Sequence, residues 1–67
     1  MDTAESTLHL MPEDAVRLGL FWASIAIKPE DAVRLAYGGG LDLTSAAMVI
    51  RAYGAEWNRT KLSSACH

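Results

Sequence analysis

The feature that most constrains this chain of 67 residues is an exact internal repeat. Residues 12–18 and 29–35 both read Pro-Glu-Asp-Ala-Val-Arg-Leu. Proline suits the first position of a helix because its missing N–H would have no helical partner there, and the two acids favour the positive end of the helix dipole. Each copy therefore predicts a helix that begins at its proline. Two copies are too few for a stacked solenoid, so the repeat indicates one helix-starting unit used twice.

The residues that follow the second copy predict further helices. The glycines at 38–40 are typical of a helix end and a turn. Asp42 or Thr44 can cap a third helix, which Gly54 is expected to stop or bend before a short fourth helix over 55–62. One face of the third helix is apolar and carries Ala46, Val49, Ile50 and Tyr53.

The segment before each proline leaves an alternative open. Residues 8–10 and 25–27 alternate apolar and other positions as short strands do, and such strands would have to pair with each other or across a dimer. The prediction is thus one mainly α domain over 1–67, a small bundle of three to four short helices, with one or two very short strands before the prolines as the alternative. Its ends at 1–6 and 63–67 are expected to fray.

The apolar content of the chain exceeds what so small a core hides. Hydrophobic residues make up 51% of the sequence and its mean hydropathy is +0.11, whereas a domain of this size buries only about 60% of its unfolded surface. Self-association or a protein partner is therefore expected. The predicted partner or oligomer interface is the densest aromatic and aliphatic cluster together with one later aromatic residue: Leu20, Phe21, Trp22, Ile25 and Trp57.

The sequence also predicts a cytoplasmic location and no association with membranes. The longest apolar run, residues 18–27, is about half of the roughly 20 residues that a membrane span needs. The N-terminus has acids and hydroxyls where a signal peptide has a basic and then an apolar segment. The single cysteine, Cys66, cannot close an intrachain disulfide, which fits a reducing compartment.

No pattern of residues predicts catalysis, a metal or a cofactor. His9, Cys66 and His67 lack the paired spacing of a zinc site, and neither histidine lies in a nucleophile motif. The glycines at 38–40 are not followed by the lysine and hydroxyl residue of a phosphate-binding loop. We therefore expect a protein that is not an enzyme.

The leading prediction is a small intracellular protein–protein interaction module, a homo-oligomer that binds and modulates or inhibits a partner protein. The alternative is a DNA-binding regulator, because residues 46–64 can be aligned with a helix-turn-helix whose turn holds Gly54. Its nucleic-acid contacts would come from Arg51, Asn58, Arg59 and Lys61. The net charge of −2 gives this alternative little electrostatic support.

Overall fold

The computed structural model describes residues 8–65, with side chains through residue 60. Within this range the chain forms three α-helices: α1 (Pro12–Ser24), α2 (Pro29–Gly38) and α3 (Leu43–Ala65). The prediction of a mainly helical fold is confirmed. The fraying predicted for 1–6 and 63–67 stays a prediction: residues 1–6, 66 and 67 lie outside the described residues, and residues 63–65 belong to α3.

The two repeated segments start their helices as the prolines predict. Met11 and Lys28, which precede those prolines, have extended backbones with ψ of 152° and 151° and no capping side chain. Their carbonyl oxygens accept hydrogen bonds from the amides of Ala15 and Ala32, both at 2.9 Å. Proline and main-chain hydrogen bonds therefore start both helices without a side-chain cap.

The third helix starts with a side-chain cap and is longer than expected. Asp42 Oδ1 accepts a hydrogen bond from the Ser45 amide at 2.8 Å, which is the standard geometry of an N-cap. The helix then runs through Gly54 without interruption to Ala65. The predicted break at Gly54 and the separate fourth helix over 55–62 are therefore wrong, because one glycine lowers helix stability by only about 1 kcal/mol.

The first two helices end in different ways. After α1, Ala26 adopts the left-handed conformation with φ of 63°. The Ile27 amide donates to the Trp22 carbonyl and the Ala26 amide to the Ala23 carbonyl, both at 3.1 Å, which is a Schellman motif with alanine in the position that glycine usually occupies. After α2, the residue with positive φ is Gly40, at 97°.

The predicted strands are absent from the described residues. Leu8 forms one isolated parallel bridge with Leu41. The Leu8 amide donates to the Gly40 carbonyl at 2.6 Å, and the Asp42 amide donates to the Leu8 carbonyl at 2.8 Å. Residues 25–27 form the turn after α1 instead of a strand. The two segments therefore do not pair with each other.

The third helix forms the centre of the domain, and both repeat helices pack on it, α1 more extensively than α2. The buried residues within the described range are mostly small: Ala15, Gly19, Ala32, Ala36, Ser45, Ala46, Val49 and Tyr53. This agrees with the apolar face predicted for α3. No helix within residues 8–65 is long and apolar enough to cross a membrane.

The contact of α1 with α3 depends on the absence of a side chain at Gly19. A Cβ atom on Gly19 would lie 2.7 Å from the backbone nitrogen of Tyr53 and still closer to the carbonyl oxygen of Val49. The two helices therefore meet backbone to backbone at this point. Farther along, the Tyr53 hydroxyl donates to the Ile27 carbonyl, which ties the turn after α1 to α3.

Candidate interaction surface

The predicted interface residues on α1 are largely on the surface. Phe21 is 56% exposed, Ile25 is 53% exposed and Leu20 is 41% exposed, while Trp22 is half-buried. Helical geometry separates these side chains into two groups, because residues four apart share an edge and neighbours in sequence do not. Leu20 therefore lies on one edge of α1, and Phe21 and Ile25 lie on the other.

The fifth predicted interface residue, Trp57, lies on α3. Its ring stacks on that of Tyr53, with centroids 5.6 Å apart and planes 25° from parallel. Trp57 is half-buried, so it supports the packing around Tyr53 and also reaches the surface. The structure thus distributes the predicted interface over two helices.

A groove with a volume of about 480 Å³ runs between α1 and α3 on the Leu20 edge. Its apolar walls are formed by Pro12, Val16, Leu20, Met48, Ala52 and Ala55. Three charged side chains border it: Arg51, Glu56 and Arg59. We call this feature the α1–α3 groove. Its composition, apolar with a few charges, is typical of a binding groove.

The charges that border the α1–α3 groove are not equivalent. Arg59 donates from Nη2 to Glu56 Oε2 at 2.6 Å and from Nε to Glu56 Oε1 at 3.2 Å. These hydrogen bonds raise the pKa of Arg59. Arg51 forms no ion pair within the described part of the chain. Arg51 is therefore the cation available to a ligand of this groove.

A second hollow, with a volume of about 520 Å³, lies where α1 meets α2. Ile25, Ile27 and Leu35 supply its apolar surface. Its polar side includes an ion pair between Asp31 Oδ1 and Arg34 Nη1 at 3.4 Å. The exposed Ile25 edge of α1 thus continues onto the repeat helix α2.

The residues predicted to contact nucleic acid do not lie on a helix-turn-helix in the described part of the chain. Arg51, Asn58 and Arg59 are exposed, and all belong to the uninterrupted helix α3, so the predicted turn at Gly54 is wrong. The side chain of Lys61 lies outside the described residues. Binding of DNA by these four residues stays a prediction. A gel shift at low salt tests it, because phosphate contacts are strongest there.

Polar contacts connect the segment before α1 to the start of α3. His9 Nδ1 contacts Asp42 Oδ2 at 2.7 Å, and the Leu10 amide donates to Ser45 Oγ at 2.7 Å. Hydrogen bonds from the Ser45 hydroxyl and amide, and then from His9, lower the pKa of Asp42 to about 2. We call this cluster the Asp42 brace. Since Asp42 binds both His9 and Ser45, the cluster joins two backbone segments.

The sequence predicts only part of the Asp42 brace. Asp42 is one of the two caps expected for the third helix, but the contact of His9 with Asp42 was not predicted. The alternation at residues 8–10 indicated an extended segment, and its main-chain partner is the chain around Leu41. Among the described residues no cluster of three or more His, Cys, Asp or Glu side chains could hold a metal ion.

The sequence and the structure were compared with known proteins. No protein-family model, no curated protein and no solved structure matches this chain significantly. The exposed apolar side chains of the chain itself are therefore the basis for its proposed function.

Proposed function

We propose that this protein is a small cytoplasmic interaction module that self-associates and binds another protein, whose activity it modulates or inhibits. One observation carries the proposal: within the described residues the domain buries small side chains and leaves large apolar ones in solvent. Alanines dominate the core. The large hydrophobic residues that remain more than 40% exposed are Leu8, Met11, Val16, Leu20, Phe21, Ile25, Val33, Leu35, Tyr37 and Leu43.

The energetic meaning of this distribution follows from the hydrophobic effect. Each square ångström of apolar surface removed from water contributes about 25 cal/mol, so large side chains contribute most when they are buried. In this domain Phe21 and Ile25 contribute little to folding because about half of each remains in water. Their burial energy is therefore available to association. Exposed apolar patches of this kind are typical of interaction sites.

Self-association is the part of this proposal that is tested first, by sedimentation velocity over a range of concentrations. We expect the wild-type chain to form a reversible oligomer, and Leu20→Ala to weaken it roughly tenfold, because Leu20 is exposed on the edge of α1 that lines the α1–α3 groove. Asp14→Ala is the matched control, because Asp14 is exposed on the side of α1 away from Leu20 and forms no ion pair among the described residues. Circular dichroism confirms that both variants stay helical.

A wild-type chain that stays monomeric up to roughly millimolar concentration would contradict the proposed self-association, since a dissociation constant above that corresponds to a binding free energy of less than about 4 kcal/mol. If the chain self-associates and Leu20→Ala changes nothing, the Leu20 edge of α1 is not the interface.

A further inference from the structure

We propose that the α1–α3 groove binds helix α2 of a second copy of this chain. The proposal deepens the proposed function, because it names the partner surface for self-association and rests on that function. Two described surfaces lead to it: the groove around Arg51, and the outward face of α2.

The groove supplies an apolar surface with one unpaired cation. Val16 and Leu20 on its α1 side are 43% and 41% exposed, so the groove walls are open to a ligand. A neighbouring hollow, formed by Leu43, Thr44 and Ala47, also shares Met48 and Arg51 with the groove. Arg51 therefore lies where two apolar surfaces meet. A helix that fits here needs apolar anchors and an acid beside them.

The outward face of α2 has this chemistry. Glu30, Val33 and Tyr37 are spaced i, i+3 and i+7, which places them on one side of the helix. The buried pair Ala32 and Ala36, which packs against the rest of the domain, lies about a third of a turn away from this face. Val33 is 46% exposed and Tyr37 is 48% exposed. Glu30 forms no ion pair among the described residues.

Charge complementarity selects a second copy as the occupant. The groove has an unpaired Arg51, and the α2 face has an unpaired Glu30 beside two apolar anchors. Helix-in-groove recognition uses anchors at this spacing, and complementary charges fix the register of such contacts. Each copy presents both surfaces. The contact joins two different surfaces, so it generates a closed ring or a linear chain of copies, according to the rotation between them.

The test is a charge exchange followed by sedimentation velocity. We expect Arg51→Glu and Glu30→Arg each to weaken self-association on the order of tenfold or more, because each places like charges opposite one another. The double variant restores the opposite charges in the reverse order. Its association is expected to return to within about threefold of the wild type, with the small remainder set by side-chain geometry.

The repeat supplies the matched controls. Asp14→Arg changes an acid of α1 that lies away from the groove, and Arg17→Glu changes an arginine of α1 that does not line the groove. Both should associate as the wild type does. Circular dichroism shows whether each variant is folded, and all four positions are exposed, so folding should be retained.

The outcomes separate this inference from the proposed function. If the wild type self-associates and neither charge reversal weakens it, the groove proposal is overturned and self-association through another face remains. If the double variant associates no better than the weaker single variant, the pairing of Arg51 with Glu30 is wrong. If the wild type is monomeric, both self-association and the groove proposal fail.

Discussion

Helices α1 and α2 begin with the same seven residues and pack on the same helix, yet they differ in how closely they approach it. Both start at a proline without a side-chain cap, and both bury the alanine at the fourth position of the repeat, Ala15 and Ala32. The next buried residue, four positions later, is Gly19 in α1 and Ala36 in α2. This one difference, just beyond the repeat, lets the α1 backbone touch α3.

The repeated residues and the residues that follow them control different properties of the two helices. The repeated residues set where each helix starts and which side faces inward, because those properties depend on neighbours within one or two turns. The residues after the repeat set the packing distance and the way each helix ends. A duplicated segment can therefore serve two positions in one fold if its flanking residues differ.

The largest expected effect comes from removing the difference between the two helices. Gly19→Ala should destabilise the domain by about 3 kcal/mol, because the new methyl group meets backbone atoms of Val49 and Tyr53 that cannot rotate away. Urea unfolding followed by circular dichroism measures the change. The reciprocal variant Ala36→Gly should cost less, about 1–2 kcal/mol, through lost helix propensity and one lost methyl contact. Equal costs for the two variants would contradict the proposed difference in packing distance.

A second expected effect concerns the helix ends. Ala26→Gly should stabilise the domain by about 0.5–1 kcal/mol, because glycine adopts the left-handed conformation of this position without the steric cost that alanine has. Gly40→Ala should destabilise it by a similar or larger amount, since Gly40 has a positive φ of 97°. Thermal unfolding of both variants tests the pair. A loss of stability in Ala26→Gly would mean that the turn after α1 is not left-handed in solution.

A smaller effect is expected from the glycine within α3. Gly54→Ala should stabilise the domain by roughly 0.5–1 kcal/mol, because a Cβ atom at Gly54 meets nothing within 4 Å and alanine favours the helix. Gly19 and Gly54 are both helical glycines, but a Cβ atom would meet the backbone of another helix at Gly19 and open space at Gly54. Their alanine variants should therefore change stability in opposite directions. Urea unfolding of the two variants side by side measures this. Destabilisation by Gly54→Ala would contradict the open space that the structure shows beside Gly54.

The smallest effect concerns the Asp42 brace, since exposed ion pairs contribute little to stability. The folded pKa of Asp42, about 2, lies below its ordinary value of 3.8. The stability that this carboxylate contributes is therefore present above about pH 4 and is lost as the pH falls toward 2. The melting temperatures of the wild type and Asp42→Asn should accordingly differ most near neutral pH and converge in acid. A difference that is constant from pH 6 to pH 2 would contradict this role.

The parts of the fold that sequence predicts are the ones controlled locally. Pro12, Pro29 and the glycines at 38–40 marked helix boundaries correctly because each acts through its own backbone. The predicted end of the third helix at Gly54 was wrong, because a glycine weakens a helix without necessarily ending it. The packing of α3 against two helices outweighs the cost of this glycine. The strand alternative failed because alternation at 25–27 over three residues cannot distinguish a strand from a turn.

The candidate site was only partly accessible from sequence. The interaction surface expected from the apolar content stays a prediction. Of the residues named for it, Phe21 and Ile25 are exposed. The groove depends on the distance between α1 and α3, which Gly19 determines through contacts with residues about 30 positions later. No local pattern encodes such a distance. For the same reason sequence did not distinguish Arg51, which is unpaired within the described chain, from Arg59, which binds Glu56.

The Asp42 brace has a consequence for the order in which the chain folds. Leu10 and Ser45, which it connects, are 35 positions apart, whereas each repeat helix is built from contacts within a few residues. Contacts between residues that are close in sequence form fastest. Closing the loop between Leu10 and Ser45 costs conformational entropy, and this cost is smaller once the residues between them have folded. We therefore expect the hydrogen bonds of the Leu8 and Leu10 amides to form after α1 and α2 are in place. Pulse-labelling hydrogen exchange should then show protection of these two amides only when the whole domain has assembled.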